Sequence, residues 1–360
     1  MTRKDSEKEI FVNGRLCLLG EHSDWSGSFR SQNDTIARGC TIVAGINYGL
    51  YARAYRLDEP VLRVRSTKDT GEVEECEYPM DENVLIESAK RGGFWSYAAG
   101  VAYIVATEFE VKGLYLDNYK TTLPLKKGLS SSAAFCVLVA RAFNVCYGIG
   151  LTQRGEMRIA YEGERLTPSQ CGKMDQAVAL GTTTVRMIYD GDLLKVERMR
   201  VGETLYMVLV DLKASKDTVE ILSKLQRAYP IAQTEADRHL HRLLGDMNLD
   251  ITDRATMYLA EGDMEKLGRL MSEAQEMFDE MAGPMCPSQL GVRGSPVLHQ
   301  LLSYEPIQEY IYGGKGVGSQ GDGSAQFVCK NAEAQQRVCD VLHASEFDVS
   351  CMTVTLPKTT

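Results

Sequence analysis

The run LPLKKGLSSSAA, residues 123–134, constrains this chain more than any other stretch. It follows a strand-like segment at Leu114–Tyr119 and opens an apolar helix predicted from about Ser131 to Tyr147. Gly128 supplies backbone angles that residues with a Cβ resist, and Ser130–Ser132 are the residue type that opens helices. A strand, a tight turn and an apolar helix in that order belong to a mixed α/β architecture. The turn also carries chemistry. The free N–H groups of a helix's first turn, with the positive end of its dipole, favour a phosphate. Gly128, Leu129, Ser130, Ser131, Ser132 and Ala133 are therefore candidate phosphate-binding residues, and a serine hydroxyl among them can ligate a Mg2+ that bridges phosphates. An ordinary serine-capped helix reads the same way, so the run gains meaning only from its companions.

The rest of the chain alternates in kind. Ile10–Leu19 reads as a strand, Thr41–Tyr55 as one or two more, and Phe94–Phe109 as a largely buried helix. A second helix, Gln153–Arg165, stops before Pro168, and Val185–Val196 looks like a hairpin turning at Asp190-Gly191. From Thr218 to about Met281 the pattern is helical and amphipathic, and a glycine-dense segment, Gly313–Gly323, precedes a final strand, helix and strand. At 360 residues the chain suits two packed domains, and the composition shift near 185–200 is the expected boundary.

Bulk properties exclude several functions. Net charge is −9 with no basic stripe, which argues against nucleic acid. No apolar run approaches the ~20 residues that span a bilayer, and the N-terminal MTRKDSEKEI has no apolar signal core. Ten cysteines lie scattered without CxxC spacing, several inside apolar runs, as reduced buried thiols do. The expectation is a cytoplasmic globular protein without structural zinc.

Three further segments carry polar groups suited to catalysis. YEGERLTPSQCGKMDQ, residues 161–176, sets Glu164 and Asp175 on either side of a proline break. One carboxylate could hold Mg2+ and the other could orient or deprotonate a hydroxyl. NGRLCLLGEHSDWSG, residues 13–27, places Arg15 before an apolar strand and Glu21, His22 and Asp24 beyond it, a set suited to recognising several hydroxyls. GGKGVGSQGDGS, residues 313–324, could let the backbone approach a ligand closely. Each has a plain structural reading when it stands alone.

Their order along one chain resembles the GHMP kinases (galactokinase, homoserine kinase, mevalonate kinase and phosphomevalonate kinase), from about residue 10 to about residue 355. GLSSSAA is the strongest part. GR-x5-GEHSD is similar to the GR-x5-GEHTD of galactokinases, CGKMDQ to their CGIMDQ, and GFWSYAAGV to their Trp-x-x-Tyr-x-x-Gly-Val helix. Mevalonate kinases share the GEH but lack the following acid, so Asp24 favours a polyol.

The resemblance implies an α/β (α+β) two-domain GHMP kinase fold, with domains at 1–190 and 191–360 and the active site in the interdomain cleft. It implies ATP and Mg2+ as cofactors, a small-molecule sugar as substrate with phosphorylation at the anomeric C1 hydroxyl, and a monomer or homodimer. Ser132 and Glu164 would ligate Mg2+. Asp175 would orient or deprotonate the hydroxyl, with Arg15 lowering its pKa and steadying the phosphoryl group. Glu21, His22 and Asp24 would contact sugar hydroxyls. The third segment departs from the galactokinase GAGFGGC, with Gln320 and Asp322 in place of glycines, which leaves the role of that loop open. Lys173 is another departure, a cation that could match an acidic or phosphorylated sugar. The rival readings are a kinase of a non-sugar alcohol such as mevalonate or homoserine, and a non-catalytic sensor of sugar and ATP.

Overall fold

The computed structural model describes residues 7–68, 70–123, 129–169 and 171–359. The chain enters through β1 (Lys8–Leu19), a short α1 (Ser23–Ser26), β2 (Gly39–Leu57), β3 (Val61–Thr67) and β4 (Val73–Pro79). Helices α2 (Glu82–Arg91) and α3 (Ser96–Glu108), strand β5 (Gly113–Thr121), then α4 (Ser131–Tyr147) and α5 (Gln153–Arg165) follow. A hairpin of β6 (Thr184–Asp190) and β7 (Leu193–Arg198) leads to β8 (Leu205–Asp211). Four helices come next, α6 (Thr218–Gln226), α7 (Glu235–Arg242), α8 (Asn248–Glu261) and α9 (Met264–Met281). Three short ones, α10 (Gly291–Gly294), α11 (Pro296–Leu302) and α12 (Glu305–Gln308), precede β9 (Ile311–Gly316) and β10 (Ser324–Cys329). Helix α13 (Ala332–His343) and β11 (Ser350–Leu356) close the fold. Among the described residues no helix is long and apolar enough to cross a membrane.

The chain divides into two compact units, residues 1–16 with 45–182 and residues 17–44 with 183–360. Segment 17–44, which carries the GEHSD sequence, thus packs with the C-terminal half, a partition that composition alone does not reveal. The predicted pair of strands at Thr41–Tyr55 is one 19-residue strand, β2, which runs through a unit boundary.

In the first unit β3 lies between β4 and β5, antiparallel to the first and parallel to the second, and β5 pairs antiparallel with the later part of β2. Helix α3 is apolar nearly all round, with Ala98, Ala99, Val101, Ala102 and Val105 buried, as a helix enclosed by others must be. Its contact with α5 is backbone against backbone. A Cβ on Gly100 would stand 2.2 Å from the Gly163 carbonyl oxygen, and one on Gly163 would stand 2.7 Å from Val101 Cα. That approach carries the next residue, Glu164, into the interior, where it is fully buried. Helix α4 packs Ala133 through Ala140 inward and ends at Gly148, whose φ of 65° closes the helix with a left-handed residue.

The second unit holds a four-stranded antiparallel sheet in the order β11-β8-β10-β9, with Phe327 opposite Val208. Val208, Val210, Phe327, Leu298, Val338 and Leu342 form its core. The expected hairpin is present, with Gly191 at φ 61° in its turn. The region predicted helical at 218–281 supplies α6 to α9.

Gly163→Ala is expected to destabilise the protein by about 1–3 kcal/mol, because the helices must separate to admit the methyl. Urea denaturation with an unchanged slope and a lower midpoint would show it; an unchanged midpoint would contradict the close packing of α3 on α5.

Candidate active site

The first unit gathers its polar residues around the start of α4. Ser130 sits at the N-cap position with φ 57°, and no side chain caps the helix. Its hydroxyl instead donates to Asp175 Oδ1 at 2.7 Å. The first-turn N–H groups of α4 are therefore left without a side-chain cap, the condition under which a helix start takes an anion. Arg15, projecting from β1 and 5% exposed, forms an ion pair with the same Asp175 oxygen. Its backbone N–H donates to the Leu129 carbonyl, tying β1 to the residue just before the serines. Asp175 opens the helical turn Asp175–Leu180, so its carboxylate is held from two directions on a short rigid element.

Glu164 lies deeper. Its carboxylate accepts from Gln176 Nε2 at 2.8 Å and from Ser169 Oγ at 3.3 Å, and it is hydrogen-bonded to the Ser132 side chain. Burial foremost, and then the charge of Asp175, push its pKa up to about 7, against these hydrogen bonds. Ser132 and Glu164, 32 residues apart in sequence, are thus in direct contact through α4 and α5. A hydroxyl, a buried carboxylate of raised proton affinity and a second carboxylate within electrostatic reach fit a hard divalent cation that completes its shell with phosphate oxygens. The buried Gln176 Oε1, which meets no hydrogen-bond donor, is a further oxygen at this place. Among the described residues no group of three or more His, Cys, Asp or Glu could hold a metal by itself.

The second unit holds the GEHSD residues. Glu21 forms a buried ion pair with Lys315 of β9, whose ammonium also donates to the Gly316 carbonyl at 2.8 Å. Together with Asn248, Gln320 and Phe278 they line a cavity of about 30 Å³. His22 is buried, stacks on Phe278 at 5.6 Å and accepts from Trp25 Nε1 at 3.1 Å through Nδ1. Desolvation lowers its pKa to about 4, so the imidazole is neutral and Nε2 carries the hydrogen. Asp24 is buried near Tyr189, onto which its charge acts. Asp322, an acid where galactokinases have glycine, accepts the Leu298 N–H at 2.8 Å and the Val297 N–H at 3.3 Å. Its charge is therefore used at the N-terminus of α11.

Of the residues singled out from sequence, the fold joins Ser130, Arg15 and Asp175, and separately Ser132 and Glu164. Gly128 lies outside the described residues. Lys173 stands half-buried two residues before Asp175. Sequence reasoning missed Ser169, Gln176 and Tyr97, whose hydroxyl bonds Ser169. The signal for two of them was available, since Ser169 and Gln176 flank the cysteine-glycine turn between the two acids.

Residues 96–182 match the GHMP kinases N terminal domain. The galactokinase of Lactobacillus helveticus is 23% identical over 377 aligned positions, covering 93% of this chain and 89% of that protein. Residues 96–182 thus carry a GHMP kinases N terminal domain, and the chain as a whole is similar to galactokinases. Among solved structures, Lactococcus lactis galactokinase complexed with galactose superposes with a TM-score of 0.73 at 19% identity, over 98% of this chain and 94% of that chain. The Methanococcus jannaschii mevalonate kinase superposes with a TM-score of 0.70 at 15% identity, over 98% and 99%. The whole-chain α/β architecture is thus that of these kinases, and the sequence relatives named here are galactokinases.

The raised proton affinity of Glu164 has a stability consequence with a definite sign. In the unfolded chain this carboxyl ionises near 4.5, while in the fold it holds its proton to about 7. Stability is therefore lost as pH rises through that window, by up to about 3 kcal/mol. Glu164→Gln without ligands is expected to exceed the wild type in stability at about pH 8 and to match it below about pH 4.5. Denaturation at several pH values checks this; equal pH profiles for the two proteins would contradict it.

Proposed function

We propose that this chain is a GHMP kinase that transfers the γ-phosphoryl group of ATP to a hydroxyl of a small sugar, at the anomeric C1 position. The observation that carries the reading is the contact of Ser132 with Glu164 beside an Asp175 that is gripped by Arg15 and Ser130. Phosphoryl transfer needs little covalent chemistry from the protein, only positioning and neutralisation of charge. Residues 129–133 would take the phosphates on the α4 N-terminus. Ser132 and Glu164 would hold Mg2+, which when bound neutralises the β- and γ-phosphate oxygens.

Asp175 would accept the hydrogen of the acceptor hydroxyl as the acceptor oxygen bonds to the γ-phosphorus and the bond to the ADP oxygen breaks. Arg15 supports this in two ways: it pairs with the Asp175 carboxylate and so holds it in place, and it offers positive charge to the equatorial oxygens of the transferred phosphoryl group. Ser130 fixes which Asp175 oxygen is engaged. Galactokinase of Lactococcus lactis was solved with galactose bound, which supports a monosaccharide acceptor. Glu21, His22 and Asp24 would govern hydroxyl recognition, with the Glu21–Lys315 pair setting the position of the turn rather than facing a hydroxyl with a bare carboxylate.

The test is ADP release with Mg-ATP across free sugars, sugar acids, sugar phosphates, mevalonate and homoserine. Turnover of one sugar is expected, with Asp175→Asn slowing it by about 10²–10⁴-fold. Turnover of mevalonate or homoserine alone, or ATP binding without ADP release on any acceptor, would overturn the reading.

A further inference from the structure

The turn joining β9 to β10 holds polar groups that phosphoryl transfer as described above leaves unused. Gly318, Gln320 and Gly321 have φ of 69°, 62° and 75°. Left-handed residues so close in sequence make a concave run of amides, the backbone arrangement that receives anions. The N–H groups of Gly318, Ser319, Gln320 and Gly321 donate to no described residue. Such orphaned donors are tolerated in a fold when something outside the chain satisfies them.

Two side chains converge on the same turn. His22 faces the Ser319 backbone, yet its buried Nε2–H finds no acceptor in hydrogen-bond geometry. Lys216, in the loop after β8, lies along the turn: a Cβ on Gly323 would come within 2.5 Å of its Nζ, and one on Gly321 within 3.4 Å of its Cδ. Glycine at 323 thus makes room for the ammonium.

The contrast between the two lysines here is instructive. Lys315 has Glu21 as its counter-charge, whereas Lys216 makes no hydrogen bond or ion pair with any described residue. Asp322, the nearest acid in the turn's own sequence, is engaged by the amides of α11. Desolvation lowers the Lys216 pKa to about 8, as expected of a half-buried cation with no anion beside it.

Resting on the kinase reading above, we propose that the Gly318–Gly321 amides, His22 Nε2–H and Lys216 Nζ bind a phosphate or carboxylate carried by the acceptor. The substrate is then a sugar phosphate or sugar acid. A neutral hydroxyl would satisfy at most one or two of these donors and would leave the ammonium uncompensated. A planar or tetrahedral anion has acceptor lone pairs for all of them.

The test is calorimetric binding to the full chain without nucleotide, using hexose and heptose phosphates phosphorylated away from C1, uronic acids, and their neutral counterparts. The wild type is expected to prefer one anionic sugar over its neutral counterpart by at least about ten-fold, the scale of one charge-assisted contact. Lys216→Met is expected to shrink that ratio to within about two-fold, and Lys216→Arg to restore most of it. Equal affinity for anionic and neutral sugars in the wild type, or a ratio unchanged in Lys216→Met, would overturn the proposal. So would a raised KM for Mg-ATP in Lys216→Met with the acceptor preference intact, which would assign the lysine to the donor's phosphates. ADP release fails or succeeds independently: a tightly bound sugar phosphate that is never phosphorylated would sink the kinase reading and leave the anion site standing.

Discussion

Two carboxylates held close together in the first unit are the constraint on which the rest of the site depends. The charge of Asp175 raises the cost of ionising Glu164, and the fold surrounds the two carboxylates differently. Asp175 receives a full counter-charge from Arg15 and a hydrogen bond from Ser130. Glu164 receives only neutral donors, Ser132, Ser169 and Gln176, and stays near the point of protonation. One acid is therefore matched by a positive charge of the protein itself. The other is left in a condition that a divalent cation would relieve. The division follows from packing as much as from chemistry, because the contact of Gly100 with Gly163 is what forces Glu164 inward.

Much of this was legible in the sequence, and the reasons differ by element. The serine run before α4 was readable because a helix start has local rules: a residue tolerant of unusual angles, small hydroxyl residues, then an apolar face. Hairpin β6–β7 was readable for the same reason, since Asp190-Gly191 sets a turn by itself. The pairing of Ser132 with Glu164 was implied only by family resemblance. Nothing local in either segment states that α4 and α5 meet at those residues. The assignment of segment 17–44 to the second unit was not readable at all, because it is decided by long-range packing such as Asn248 bonding Ser23 Oγ and the Cys40 carbonyl.

The GEHSD and glycine-rich segments show where residue type alone misleads. Glu21 suggests a sugar ligand, yet its carboxylate is paired with Lys315 inside the second unit. Asp322 suggests repulsion toward phosphates, yet it serves the start of α11. A charged residue in a binding loop has its meaning fixed by its partner, and partners are tertiary facts. The same logic gives weight to Lys216, which looks like a routine surface lysine in the sequence and is half-buried without a partner among the described residues.

The central claim is that Glu164 gives up a proton to take a cation with the nucleotide. Calorimetric titration of Mg2+ with a non-hydrolysable ATP analogue, in buffers of different ionisation enthalpy at about pH 7, counts that proton directly. With a pKa of about 7, roughly half a proton should be released per nucleotide bound by the wild type, and that share should vanish in Glu164→Gln. Equal proton release by the two proteins would contradict the claim and remove Glu164 from the cation's shell.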